Sequence, residues 1–220
     1  TTAAVRGLHI QGMRRGGVKY KLDLGSAFFT SKKTTKQHLW VREPPELMRE
    51  DSISRFRQLW VEVPGTRGAP RAFYETLIEH LCETMGFVRS REDRCLLYHA
   101  DGQGEQDNAA VFHVDDGVGY AATEQVALDF AAQLEKRFNV KFELVLLGQT
   151  DTFAGVEWTK FEDGCSVNQH AYVNEALHEI PLSDKRRKQR DAPITETERA
   201  QMRSVLGGVR WVHKMVEDIG

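Results

Sequence analysis

The stretch Ala109–Tyr120, Ala-Ala-Val-Phe-His-Val-Asp-Asp-Gly-Val-Gly-Tyr, constrains the fold of this chain more than any other. An apolar run, two adjacent carboxylates, a glycine and a second apolar run read as strand, tight turn, strand, with both acids at the turn. Neighbouring carboxylates repel each other unless positive charge lies between them. A hard divalent cation meets that need. Mg²⁺ held by one or two carboxylates together with substrate phosphates is the arrangement of phosphoryl transfer. An isolated Asp-Asp-Gly is more often a solvated hairpin turn, so its meaning depends on the rest of the chain.

The flanking segments supply that context. Val18–Leu24 alternates in polarity and stops at Gly25, which predicts a strand delivering Asp23 to its end. Leu39–Glu43 reads as a short strand halted by Pro44 and Pro45. Pro70 is placed to open a helix in which Phe73, Leu77, Leu81 and Met85 recur every four residues as core packing, with Gly86 ending it. Leu96–Tyr98 and Val111–Val114 read as strands around a polar loop, Asp101–Asn108. Thr123 caps a second helix with the stripe Val126, Phe130, Leu134 and Phe138. Phe153–Phe161 and Ser166–Gln169 flank Glu162-Asp163-Gly164 as a hairpin, and Ala171–Ile180 suits a short helix. Lys185–Arg190 is a basic run read as a solvated linker, and Glu196–Val216 has helical periodicity despite Gly207-Gly208. The order predicts an α+β fold, an antiparallel sheet with helices on one face. A ferredoxin-like βαββαβ core would bring Asp23, on its first strand, beside Asp115 on the central hairpin.

Composition narrows the function. The chain has 220 residues, 40% of them hydrophobic, enough for a substantial core in one or two domains. Its 30 basic residues are matched by 32 acidic ones. A chain that grips a nucleic-acid backbone is usually more basic, unless carboxylates are concentrated at a metal site. Cys82, Cys95 and Cys165 have no CxxC spacing and cannot all pair, which fits a reducing, intracellular setting. The histidines show no ligand spacing, so no transition metal is expected. No run reaches membrane-span length, and no secretory signal is visible, although a targeting segment could precede Thr1.

Several blocks carry a family likeness. They are Lys21–Phe29, Leu39–Pro45, Pro64–Tyr74, Gly86–Ser90 with Asp93 and Cys95, His113–Asp116, Leu147-Gly148 with Phe153–Glu157, Gln169 with Tyr172, and Arg203–Gly207. In this order they resemble the reverse transcriptase region of copia-type retrotransposon polyproteins. His113 stands where the family has Tyr before Val-Asp-Asp, and Pro64 and Gly68 stand where it has Tyr and Gln. The likeness implies a polymerase palm with partial fingers over residues 1–180, a basic linker at 181–195, and a C-terminal helix at 196–220 that begins a thumb or connection. The family's amino-terminal fingers strands, protease, integrase and ribonuclease H regions have no counterpart here, which reads the chain as a piece or relic of a polymerase.

The resemblance also implies roles. Asp23 and Asp115 would be the main ligands of two Mg²⁺ ions, with Asp116 third and Mn²⁺ as a substitute metal. Phe28 would set a ring against the sugar 2′ position; its plainer alternative is core packing, with Phe29 exposed. Gly65, Arg67, Ala69 and Pro70 would form the loop beneath the templating base and nucleotide, where small residues let backbone approach a ligand. Arg71 and His113 would touch nucleic acid, Arg71 at the template backbone and His113 near the primer terminus. The implied partners are an RNA or DNA template–primer and a deoxynucleoside triphosphate, in the cytoplasm or nucleus, or in an organelle if a targeting segment was removed. The competing reading is a domesticated, inactive retroelement remnant serving other protein subunits as a structural or binding module. A nucleotidyl cyclase or primer-independent polymerase shares the paired acids, but leaves the Ala69–Tyr74 block unexplained.

Overall fold

The structure, a computed structural model, describes residues 2–31, 39–47, 55–162, 164–177, 179–189 and 191–217. Asp163 of the expected hairpin turn and Arg190 of the basic run therefore lie outside the described residues. Packing divides the chain into two units, Ala3–Leu144 and Val145–Gly220.

The first unit runs α1 (Thr2–Arg14), β1 (Val18–Gly25), a single helical turn Ala27–Thr30, β2 (Leu39–Arg42), β3 (Phe56–Leu59) and α2 (Ala69–Glu79), which a wider π-helical turn, His80–Thr84, prolongs. It continues with β4 (Val88–Arg89), β5 (Leu96–Ala100), β6 (Gln106–His113), β7 (Asp116–Ala121), α3 (Glu124–Glu135) and β8 (Asn139–Val145). Six strands form one sheet in the order β4-β5-β6-β7-β1-β8, and β2 and β3 form a separate two-stranded sheet. β1, α2, β6, β7, α3 and β8 make a ferredoxin-like βαββαβ core, its four strands being neighbours in the large sheet.

Alternation along the strands sorts the two faces. Tyr20, Leu22 and Leu24 of β1 join Ala110 and Phe112 of β6 on the face covered by α2 and α3, whose Phe73, Leu77, Leu81, Phe130 and Leu134 complete the core. Two glycines of β7 make this packing close. A Cβ on Gly117 would stand 2.9 Å from both Leu22 and Phe112, and one on Gly119 would stand 2.2 Å from the Tyr20 ring. Thr123 caps α3 by accepting a hydrogen bond from the Val126 amide at 3.3 Å.

The structure departs from the sequence reading in three places here. First, α1 carries no strong periodicity, yet it packs on the opposite face of the sheet. There His9 meets the Tyr120 hydroxyl at 2.9 Å, and Gly12 lies flat against the Tyr120 ring. Second, the polar loop shortens, because β6 begins at Gln106. Its polar residues have partners, Asn108 accepting from the buried Tyr20 hydroxyl at 2.7 Å and Asp107 pairing with His99 at 2.7 Å. Third, Asn139–Val145 is a strand, visible in hindsight as the alternation Val140, Phe142, Leu144, all packed on the core. Cross-strand ion pairs Lys21–Glu143 (3.0 Å) and Asp23–Lys141 (3.2 Å) seat it beside β1.

The second unit contains β9 (Thr150–Phe153), β10 (Val156–Lys160), β11 (Cys165–Asn168), α4 (His170–Ala176), α5 (Asp184–Lys188) and α6 (Glu196–Glu217). Its strands pair in the order β11-β10-β9. The strand expected over Phe153–Phe161 is thus shorter, Val156–Lys160, because Phe153 ends β9 and Ala154 (φ 51°) and Gly155 (φ 75°) turn left-handed between the two. The basic run contains the one-turn helix α5, and its Arg186 is clamped onto Glu198 of α6 at 2.5 Å. Of the two glycines in α6, Gly208 is held small by Leu177, which would stand 2.9 Å from a Cβ there, whereas Gly207 faces open space. Cys82, Cys95 and Cys165 are half-buried. Among the described residues, no helix is long and apolar enough to cross a membrane.

Candidate functional site

The register of the central strands builds the acidic cluster. Asp23 of β1 lies directly opposite Asp116 of β7, and Asp116 lies directly opposite His113 of β6. Directly paired residues share a face. These three therefore form one row, on the side of the sheet away from α2 and α3. Asp115 adjoins the row, because its carbonyl accepts the Leu24 amide at 2.9 Å. Folding thus unites β1 and the central hairpin, as the βαββαβ topology requires.

The turn itself differs from the sequence reading. Its two central residues are Val114 and Asp115, while Asp116 opens β7 and Gly117 sits inside the strand. Gly117 is small because Leu22 and Phe112 close over it, not because the turn needs it. Val114 takes the left-handed conformation, φ 61°. For a β-branched residue this costs about 1–3 kcal/mol, the kind of strain that accumulates at functional sites.

Electrostatics mark the same spot. Burial, then the charges of Asp115 and Asp23, push the Asp116 carboxyl above its usual range, with His113 opposing. Asp23 is engaged by the Lys141 ammonium at 3.2 Å. Among the described residues, no three His, Cys, Asp or Glu side chains converge closely enough to hold a metal ion unaided. The donor set nevertheless suits a hard divalent cation whose remaining ligands are phosphate oxygens and water, since Mg²⁺ commonly takes only one or two carboxylates.

The remaining expected residues lie along the segment into α2 and just after β1. Ser26, left-handed at φ 58°, turns the chain out of β1 into the single turn Ala27–Thr30. Phe28 on that turn is half-buried, its ring edge-on to Phe73 of α2 at 6.1 Å, while Phe29 is exposed. Gly65 has φ 91° with open space where a side chain would stand. Arg67 and Pro70 are exposed, Ala69 is buried, and Arg71 is exposed and paired with Glu75 at 2.8 Å. His113 is exposed beside the acids. The structure thus joins Asp23, Asp115, Asp116 and His113 at one end of the sheet, and links Phe28 to α2 through Phe73.

Two residues at these sites escaped the sequence reading. Lys141, which reaches Asp23, sits on a strand that went unread. Glu62 is fully buried beneath the 64–70 loop. It accepts the Thr66 hydroxyl at 2.5 Å, and its other oxygen stands 2.5 Å from where a Cβ on Gly68 would be. Gly68 is the N-cap just before α2, so the carboxylate rests near a helix N-terminus that favours negative charge. A lone acid inside the apolar run Leu59–Val63 was the available signal.

Comparison with known proteins adds the following. Residues 3–195 match the family described as "Reverse transcriptase (RNA-dependent DNA polymerase)". The "Retrovirus-related Pol polyprotein from transposon RE1" of Arabidopsis thaliana is 26% identical over 157 residues, which are 71% of this chain and 10% of that protein. The chain therefore spans about a tenth of the curated relative it matches. A solved structure of telomerase from Candida albicans, in complex with a TWJ fragment of telomeric RNA, is similar over 76% of this chain and 33% of that chain, at 13% identity and a TM-score of 0.43.

Proposed function

The chain belongs to the reverse transcriptase (RNA-dependent DNA polymerase) family, and on that footing we propose that it is the palm of a retrotransposon polymerase adding deoxynucleotides to a primer 3′-hydroxyl. The observation that carries this reading is the row Asp23, Asp116, His113 with Asp115 adjoining it at the exposed end of the sheet. Asp23, Asp115 and Asp116 would hold divalent metal, completed by the phosphates of the nucleotide. When bound, two such ions supply activation of the primer hydroxyl and neutralisation of the triphosphate and its leaving group.

The protein's own groups do the rest. Three acids at one strand end concentrate negative potential, which draws cations and keeps an unescorted phosphate away. Gly65 lets backbone approach the nucleotide, and the exposed Arg67 guanidinium faces solvent where a phosphate can meet it. Phe28, braced by Phe73, offers a rigid ring beside the strand that carries Asp23. His113 and Arg71 are exposed for contact with primer and template.

The ion pair between Lys141 and Asp23 engages one of the three carboxylates and favours a second reading in which the palm is kept as an inactive binding module. Primer extension with Mg²⁺ and deoxynucleotides separates the two. Asp115→Asn should abolish whatever extension the wild-type chain supports, while its melting temperature stays within a few degrees of wild type. Undiminished extension by Asp115→Asn would reject the assigned role, and recovery of the chain in a stable assembly with other protein subunits and no nucleic acid would favour the inactive module.

A further inference from the structure

The small sheet β2–β3 belongs to neither the acidic row nor the 64–70 loop, and it presents large aromatic rings to solvent. Trp40 is 60% exposed, Phe56 54%, and Trp60, just past β3, 73%. Exposed rings gathered in one place usually mark a binding surface. The register sorts the two faces sharply. Trp40 lies opposite Gln58 and Arg42 opposite Phe56, so Trp40, Arg42, Phe56 and Gln58 project from one face. Leu39, Val41, Arg57 and Leu59 project from the other, where Arg57 also binds the Glu43 carboxylate at 3.2 Å.

We propose that the face bearing Trp40, Arg42 and Phe56 is a stacking platform for the unpaired bases of a single-stranded nucleic acid. Every nucleobase has a π-face, so rings set on a sheet hold a strand without reading its sequence. Trp40 and Phe56 are diagonal neighbours, about 7–8 Å apart. That is about twice the ~3.4 Å spacing of successive bases in a strand, which leaves room for one base between the rings. The face also has the right charge. Of the residues paired between β2 and β3, Arg42 is the charged one on the front face, while Glu43 just past β2 is paired with Arg57 of the back face. Tryptophan, phenylalanine and arginine would equally suit a protein partner, and the self-association arm of the test below separates the two. The choice of a nucleic-acid occupant rests on the polymerase reading above: β3 runs within a few residues into the loop proposed to underlie the template base.

The test uses the full chain and a fluorescein-labelled single-stranded oligothymidylate, read by anisotropy and by quenching of tryptophan emission. Oligothymidylate should bind and quench. The double variant Trp40→Ala/Phe56→Ala should bind about ten-fold or more weakly, as expected for the loss of stacked bases, with an unchanged circular dichroism spectrum. Trp40→Phe should retain most of the affinity, because a ring remains. An abasic strand of equal length should bind no better to wild type than to the double variant. Equal affinity of wild type and double variant for oligothymidylate would overturn the proposal, as would equal binding of abasic and normal strands by wild type. So would self-association of the wild type that the double variant abolishes and oligothymidylate does not compete, which would make this face a protein interface. Primer extension is read separately, so a chain that binds oligothymidylate through these rings yet extends no primer separates a failure of the polymerase reading from a failure of the platform.

Discussion

Replacing Asp116 with Asn should stabilise the protein while destroying the activity proposed for it. Asp116 lies directly opposite Asp23, where paired Cβ atoms stand about 4.5–5.5 Å apart, and next to Asp115 in sequence. Two unit charges about 6 Å apart in a water-like dielectric repel by about 0.7 kcal/mol, and Asp116 is exposed enough for that dielectric to apply. Two such neighbours amount to about 1.4 kcal/mol, and Lys141 on Asp23 lowers the first contribution, leaving about 1 kcal/mol. For a unit of this size that is a rise of about 2–4 °C in melting temperature. The pH dependence has a definite sign. Because the folded carboxyl is held above its usual range, the native state binds the proton more tightly than the unfolded chain. Its stabilising contribution is therefore complete at low pH and disappears as pH rises through the elevated value. Asp116→Asn should then match wild type in acid and exceed it at neutral pH. The difference should shrink in 1 M KCl, where the screening length falls to about 3 Å. Differential scanning fluorimetry from pH 3 to 8, with and without salt, makes the comparison. Burial of the carboxyl is not screened, so part of the gain remains in salt; a variant no more stable than wild type at neutral pH, or a gain wholly insensitive to salt, would refute the reasoning.

Two further outcomes follow from close packing. Gly12→Ala would drive a methyl into the Tyr120 ring, at 2.2 Å, so α1 must lift and strain its contact with His9. Chemical denaturation should show a loss of about 1–3 kcal/mol, and an unchanged midpoint would mean α1 does not dock there. Gly68→Gln, which installs the residue the resembled family carries, should destabilise on its own because Glu62 occupies that space. Combined with Glu62→Ala it should recover, giving a coupling of about 0.5–3 kcal/mol in a double-mutant cycle; additive effects would show that the two positions do not compete.

How much was legible in the chain depends on the range over which each signal acts. Periodicity is local, so α2, α3 and the β6–β7 hairpin could be read from Phe73–Met85, Val126–Phe138 and the runs around Asp115. The order of those elements already implied the ferredoxin-like core and the meeting of Asp23 with the hairpin. Elements whose pattern is weak alone were not legible. β8 is recognisable chiefly through its neighbour β1, and α1 through Tyr120 and the flat contact at Gly12. Asn108 looked like loop because a polar residue reads as exposed until its partner is known, and that partner is the Tyr20 hydroxyl.

The linear chain by itself therefore determined which residue types were available for chemistry, and the order in which strands and helices deliver them. Only the tertiary structure decided the row in which Asp116 faces both Asp23 and His113, the approach of Lys141 to Asp23, and the burial of Glu62 under Gly68. The reason is physical. Strand register and side-chain interlock arise from contacts between segments far apart in sequence, and no local pattern encodes which distant partner will fill a given space.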